Sequence, residues 1–170
     1  MKKTLFAATL AAAVSGALAA DVTLYGVADV GLRYTNTKTD GVSTDKLEMM
    51  SGHNAGSRFG LKGSEDLGNG WKAGFLLEGQ YLVDTGALKN AKFFHRQATV
   101  SISGPLGTVY AGRMGTLSSA AGPADLIFAA GDAFDGGDNL IYALSVESRR
   151  DNTLLYVTPA AGGLQGYLQY

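Results

Sequence analysis

Apolar and polar residues alternate along the chain in a repeated two-residue rhythm, clearest over residues 21–35. Val22, Leu24, Gly26, Ala28, Val30, Leu32 and Tyr34 share one parity, while Thr23, Tyr25, Val27, Asp29, Gly31, Arg33 and Thr35 share the other. Successive strand side chains point to opposite faces, so this predicts a strand with one greasy and one mostly polar face. The rhythm recurs at 57–65, where Phe59 and Leu61 alternate with Arg58, Lys62 and Ser64, and at 71–81, where Trp71, Ala73, Phe75, Leu77 and Tyr81 oppose Lys72, Glu78 and Gln80. It recurs again at 93–103, 108–113 and 152–158, and a seventh strand begins at Leu164. In the fourth segment the parity sets Arg96 on the greasy side, an oddity that a bulge or a position above the hydrocarbon would explain.

The spacers alternate as well. Short turns follow the second, fourth and sixth strands, at 66–70, 104–107 and 159–163; Asn69-Gly70 and Pro105 carry turn chemistry. Longer connections follow the first, third and fifth, at 36–56, 82–92 and 114–150. Tight turns at one end, long loops at the other and aromatics (Trp71, Tyr81) bounding a greasy face predict an all-β chain, a transmembrane antiparallel β-barrel. A soluble sandwich has the same strand period but no reason for girdling aromatics or asymmetric loops. The short turns then lie on the periplasmic side, together with the start of the first strand.

Residues 1–20 change the picture by adding a destination. Lys2 and Lys3 precede an apolar run at 5–14, and Ala17-Leu18-Ala19 provides small residues, so a signal peptide cut after Ala19 or Ala20 is expected, with 21–170 as the barrel portion. The run falls short of the roughly 20 residues a membrane helix requires, which argues against an anchor, and no later apolar run approaches that length, so the mature chain would cross a membrane as a barrel. Without Lys2 and Lys3, the 14 basic residues become 12 against 15 acidic ones, a net charge of −3 that argues against nucleic acid as a partner. The absence of cysteine removes disulfides, thiol nucleophiles and Cys metal sites from consideration.

Five segments resemble a known family, the general diffusion porins of β-proteobacteria such as Neisseria, Bordetella and Burkholderia relatives. They are Asp21-Val22-Thr23-Leu24-Tyr25-Gly26; the run from Ser57-Arg58-Phe59-Gly60-Leu61-Lys62-Gly63 to Asn69-Gly70; Arg96-Gln97-Ala98; Gly107-Thr108-Val109-Tyr110-Ala111-Gly112-Arg113; and Asp151-Asn152-Thr153-Leu154-Leu155-Tyr156 with Pro159. The resemblance implies a 16-stranded barrel that forms a homotrimer in the outer membrane, among its lipid and lipopolysaccharide. It also implies that the third external loop, here 114–150, folds into the pore as a constriction. Chains of that family are about twice this length, and seven strands cannot close such a barrel, so the sequence is expected to be an N-terminal fragment.

A channel of this kind performs no bond chemistry; width and lining charge decide what passes. The expected function is passive diffusion of small hydrophilic solutes and ions. The candidate lining is a basic ladder of Arg58 and Lys62 with Arg33, Lys72 and Arg113, together with Arg149 and Arg150 at the end of the long loop. Asp125 and Asp132, with Asp135, Asp138 and Glu147, would face it, and a helix starting at Pro123 would pack Leu126, Ile127 and Phe128 against the wall. Opposed charges produce a transverse field, and the inward basic residues predict anion preference. Leu155 and Val157 run against the pattern, being apolar where the wall should meet water; either the wall is greasy there or the loop covers it.

Other chemistry finds no support. His53 and His95 lie on separate connections without further ligands at metal spacing, and the stretch 132–139 lacks the calcium-loop order and terminal Glu. Ser118 and Ser119 stand in no nucleophile elbow. No catalytic residue, metal or cofactor is therefore expected. The alternative function is a non-transporting outer-membrane barrel whose loops bind a partner, as an adhesin does; a sealed lumen would distinguish it.

Overall fold

The computed structural model describes residues 21–117, 123 and 148–170. The expected signal peptide lies outside them, as do Asp125, Asp132, Asp135, Asp138, Glu147 and the expected helix beyond Pro123. The described residues form nine antiparallel strands: β1 (Asp21–Val27), β2 (Val30–Thr39), β3 (Val42–Ser51), β4 (Arg58–Gly68), β5 (Trp71–Gln80), β6 (Gln97–Gly104), β7 (Gly107–Gly115), β8 (Arg149–Val157) and β9 (Tyr167–Gln169). Seven make one sheet in the order β1-β4-β5-β6-β7-β8-β9, and β2 and β3 pair separately. With 11 and 10 residues, β4 and β5 have the length a tilted strand needs to cross a bilayer.

The first expected strand is interrupted. β1 stops at Val27 and a new strand starts at Val30, because Asp29 turns away from the ladder: its backbone N–H donates to Ser57 Oγ at 2.9 Å, and Ser57 Oγ donates back to Asp29 O at 2.8 Å. Nor is the polar stretch that follows an irregular loop. Thr35, Thr37, Thr39, Val42 and Thr44 suit strands, and Asp40-Gly41, with φ of 50° and 84°, makes the two-residue turn of a hairpin that registers Thr39 against Val42 and Val30 against Ser51.

The other boundaries shift less. β6 begins at Gln97 rather than Phe93, so Arg96 belongs to the preceding connection and the parity conflict disappears. β8 begins at Arg149, three residues earlier than expected, and a register shift between Gly112 and Met114 marks a bulge in β7. The turn at Gly68, Asn69 and Gly70 has positive φ at all three residues, as Asn-Gly implied.

Register divides the large sheet into two faces. Leu24, Leu61, Leu77, Ala98, Val100, Ile102, Val109 and Leu154 lie on one, and Leu24, Val100, Ile102 and Leu154 are exposed. Aromatics bound it. Trp71 and Tyr156, whose hydroxyl donates to Leu106 O at 2.6 Å, stand at the short-turn end; Phe59 packs against Tyr81 and Phe93 (ring centroids 6.3 and 5.6 Å apart) at the other. Ten residues of strand separate Trp71 from Tyr81, roughly 33 Å along the chain and about 25 Å vertically at the tilt of an outer-membrane barrel, the height of its apolar band. The opposite face carries Thr23, Tyr25, Lys62, Glu78, Gln97, Thr99, Ser101 and Tyr110.

Candidate channel lining

The polar face is organised around one carboxylate. Register places Tyr25 of β1 and Glu78 of β5 on either side of Gly60 in β4. A Cβ at Gly60 would sit 2.5 Å from the Tyr25 ring; its absence lets the ring lie across β4 and donate its hydroxyl to Glu78 Oε2 at 2.8 Å. Arg58 Nε lies 3.8 Å from the same oxygen, and Arg96 Nε donates to Glu78 Oε1 at 2.5 Å.

Further contacts position these guanidinium groups. Arg58 Nη1 donates to Gly56 O at 3.1 Å and Arg96 Nη1 to Gln80 Oε1 at 3.4 Å, while Arg149 Nε donates to Arg96 O at 2.9 Å. Lys62, four residues from Arg58 and on the same face, has its ammonium 5.6 Å from the centre of the Tyr25 ring, within cation–π reach. Arg58 and Arg96 thus converge on one glutamate, and with Lys62 over the tyrosine that shares it, three cations stand around one carboxylate among the described residues, an excess of two positive charges. Beside them a hollow of about 550 Å³ is bordered by Thr23, Lys62, Leu76, Thr99, Tyr110 and Pro123.

Of the residues expected to line the channel, the structure groups Arg58, Lys62 and Arg149. Arg33 lies in the β2–β3 hairpin, where its Nε donates to Glu48 at 2.8 Å and Lys46 also pairs with Glu48. Lys72 has the expected parity, opposite Asp66 and Ser103, yet eight residues from Gln80 it stands by the short turn, roughly 26 Å from Arg58. Arg113 corrects its expected placement: it stands opposite Ala98, on the face of Val100 and Ile102, because parity counted from Tyr110 puts odd residues of β7 there. At the long-connection end it donates through Nη1 to Asp151 at 2.7 Å and through Nε to His95 O at 2.7 Å, while Lys92 also pairs with Asp151. Arg150 is opposite Met114 beside the bulge.

The sequence reading missed Tyr25, Glu78 and Arg96 as members of the site. The parity of Tyr25 and Glu78 placed both on the polar face; the missing signal was Gly60, the position through which they meet.

Asp29 and His95, outside the spanning strands, both have lowered pKa values. The Asp29 carboxylate accepts backbone N–H groups from Ala55, His53 and Asn54 at 2.8, 2.8 and 3.2 Å, and these donors, Ala55 foremost, hold its pKa below the ordinary carboxylate value. His95 is buried, and burial followed by the proximity of Arg149, Arg96 and Arg113 lowers its pKa.

A family model described as Gram-negative porin matches residues 7–170. Outer membrane porin protein 32 of Delftia acidovorans is 36% identical over all of this chain and 49% of its own length, and an outer membrane porin protein of Bordetella pertussis is 35% identical over all of this chain and 48% of its own. The major outer membrane protein P.IB of Neisseria gonorrhoeae is 36% identical, again over all of this chain and 48% of its own. The chain therefore spans about half the length of the curated relatives it matches. The solved structure of an anion-selective porin from Comamonas acidovorans superposes with a TM-score of 0.60 at 32% identity, covering 89% of this chain and 46% of that one. A sheet greasy on one face and polar on the other, strands of spanning length and a match along nearly the whole sequence agree: the chain belongs to the Gram-negative porin family, antiparallel β-barrel proteins of the outer membrane.

Proposed function

We propose that the complete protein forms a water-filled channel for passive diffusion of small hydrophilic solutes and ions, favours anions, and does no catalysis. The observation that carries the proposal is the set of Arg58, Arg96 and Lys62 about the carboxylate of Glu78 and its partner Tyr25 on the polar face. In a narrow passage with low-dielectric walls, an excess of fixed positive charge concentrates anions and repels cations. The Comamonas acidovorans porin is anion-selective, which is consistent with this reading.

The connection between β7 and β8 is proposed as the constriction. Thr116 N donates to Ser148 O at 3.3 Å, joining its two roots, and Leu117 and Pro123 lie on the polar face of the sheet. We further propose a cleaved signal peptide over 1–20 and a homotrimer embedded in outer-membrane lipid and lipopolysaccharide.

Planar bilayers containing the complete gene product test the proposal. In a salt gradient the reversal potential should report anion preference, and Arg58→Ser with Arg96→Ser should move it towards cations. A protein that inserts without conducting, or conducts with cation preference, would overturn it.

A further inference from the structure

A second construction on the polar face involves no charge. Met114 and Leu155 are 0% and 1% exposed on a face otherwise built to meet water, and Tyr110, Leu117, Val157 and Tyr167 pack against them. This resolves the conflict that Leu155 and Val157 posed in the sequence: the wall there is greasy because the start of the long connection lies on it. Leu117 is that cover, just beyond the end of β7 at Gly115.

Gln169 of β9 closes the contact. It stands opposite Leu155 in the register, and its side-chain amide reaches over β8 to the far side. There Nε2 donates to Gly115 O at 2.9 Å, and Oε1 accepts from Leu117 N at 3.0 Å. A carbonyl and the N–H two residues later are the pair that a neighbouring strand engages in a β-ladder. The Gln169 amide supplies the same donor and acceptor, so β7 is extended across its rim by a side chain acting as one peptide of a missing strand. Burial of Leu155 and Met114 beneath favours this direction of exit over one leading away from the wall.

We propose that Gln169, seated on the Met114–Leu155 pair, is a positioning residue that sets where the constriction leaves the wall and hence the width and steadiness of the open channel. The proposal rests on the channel reading above and deepens it. Gln169 holds the backbone of Gly115 and Leu117; Thr116 between them is tied to Ser148, so three successive residues at the root are fixed from two directions.

Gln169→Leu and Gln169→Glu in the complete gene product test it. The leucine keeps the bulk and removes both bonds; the ionised glutamate accepts but cannot donate, and meets the Gly115 carbonyl with like partial charge. Single-channel recordings should show several-fold greater open-channel noise and altered conductance for both variants at neutral pH. Acid restores a donor to the glutamate, so recordings at pH about 4 should bring Gln169→Glu towards wild type measured at the same pH, while Gln169→Leu remains noisy. Variants that migrate as folded barrels on unheated gels yet conduct like wild type would overturn the proposal, as would a glutamate phenotype indifferent to pH. A wild-type protein that does not conduct would instead overturn the channel reading. The anchor is then read by limited proteolysis between Leu117 and Ser148, where faster cleavage of Gln169→Leu supports it and equal cleavage rejects it.

Discussion

Tyr25 and Glu78 are joined by a 2.8 Å hydrogen bond although their strands never pair; the bond crosses β4 above Gly60. The side chain missing at Gly60 is therefore part of the electrostatics of the wall. It permits a neutral donor to take one side of the carboxylate while Arg58 and Arg96 take the others.

Replacing Gly60 by Ala should displace the Tyr25 ring, since that is the mobile partner in the 2.5 Å clash, and should reproduce the effect of Tyr25→Phe. A hydrogen bond to a charged group is worth about 1.5–3 kcal/mol, so either change should lower the thermal midpoint of the folded-to-unfolded gel shift. The double variant should be hardly worse than the single ones. Additive losses would show that the two residues act separately.

Glu78→Gln should strengthen anion preference, because it raises the local excess from two positive charges to three. It should also destabilise the barrel by about 1–2 kcal/mol, a figure lowered from that of a buried pair because the cluster is partly solvated. Reversal potentials and denaturant unfolding separate the effects. Selectivity that stays the same or falls would mean that Glu78 does not control the field felt by the ions.

Asp29 predicts an acid-sensitive joint. Its folded pKa is depressed, so its stabilisation is present above the unfolded carboxylate value near 4 and is lost as pH falls through the lower folded value. Asp29→Asn should unfold more easily than wild type at pH about 7, with the difference closing as pH falls below the ordinary carboxylate value near 4. Denaturant midpoints across that range provide the check; a gap independent of pH would refute the linkage.

His95 acts over a higher range with the same sign. Burial and three arginines depress its pKa, so the folded protein favours the neutral ring and loses stability as pH drops below the ordinary value near 6.5. Wild type should show a falling thermal midpoint between pH about 7 and 5, and His95→Gln a flatter one. Parallel curves would assign the sensitivity elsewhere.

Parity alone disclosed the two faces of the wall, because every strand of the large sheet repeats the same two-residue bias. The alternation of short and long connections told its two ends apart. What escaped were the places where the chain leaves the ladder. The Asp40-Gly41 turn lay inside a polar segment read as loop, and the bond of Asp29 to Ser57 depends on residues 28 apart. Arg96 was assigned to a strand that begins one residue later, so a central cation of the site looked misplaced. Arg113 erred in the opposite sense, its charge suggesting the lumen while its parity in β7 placed it on the outer face. The anchor at Gln169 was hidden because Leu155 read as an exception, and its cover comes from residues whose pattern carries no strand rhythm.

The knot at Asp29 has a consequence for how this protein can vary. Asp29 binds residues 53, 54 and 55 through its carboxylate and Ser57 through its backbone, so the base of the β2–β3 hairpin, already paired from Val30 to Ser51, is also tied to the start of β4. Peptide grafted at Asp40-Gly41 would lengthen or replace the tip without transmitting strain to β1 or β4, where Tyr25 and Arg58 stand. The tip can thus change its sequence while the wall keeps its register, which makes it the natural port for inserting an epitope or a label.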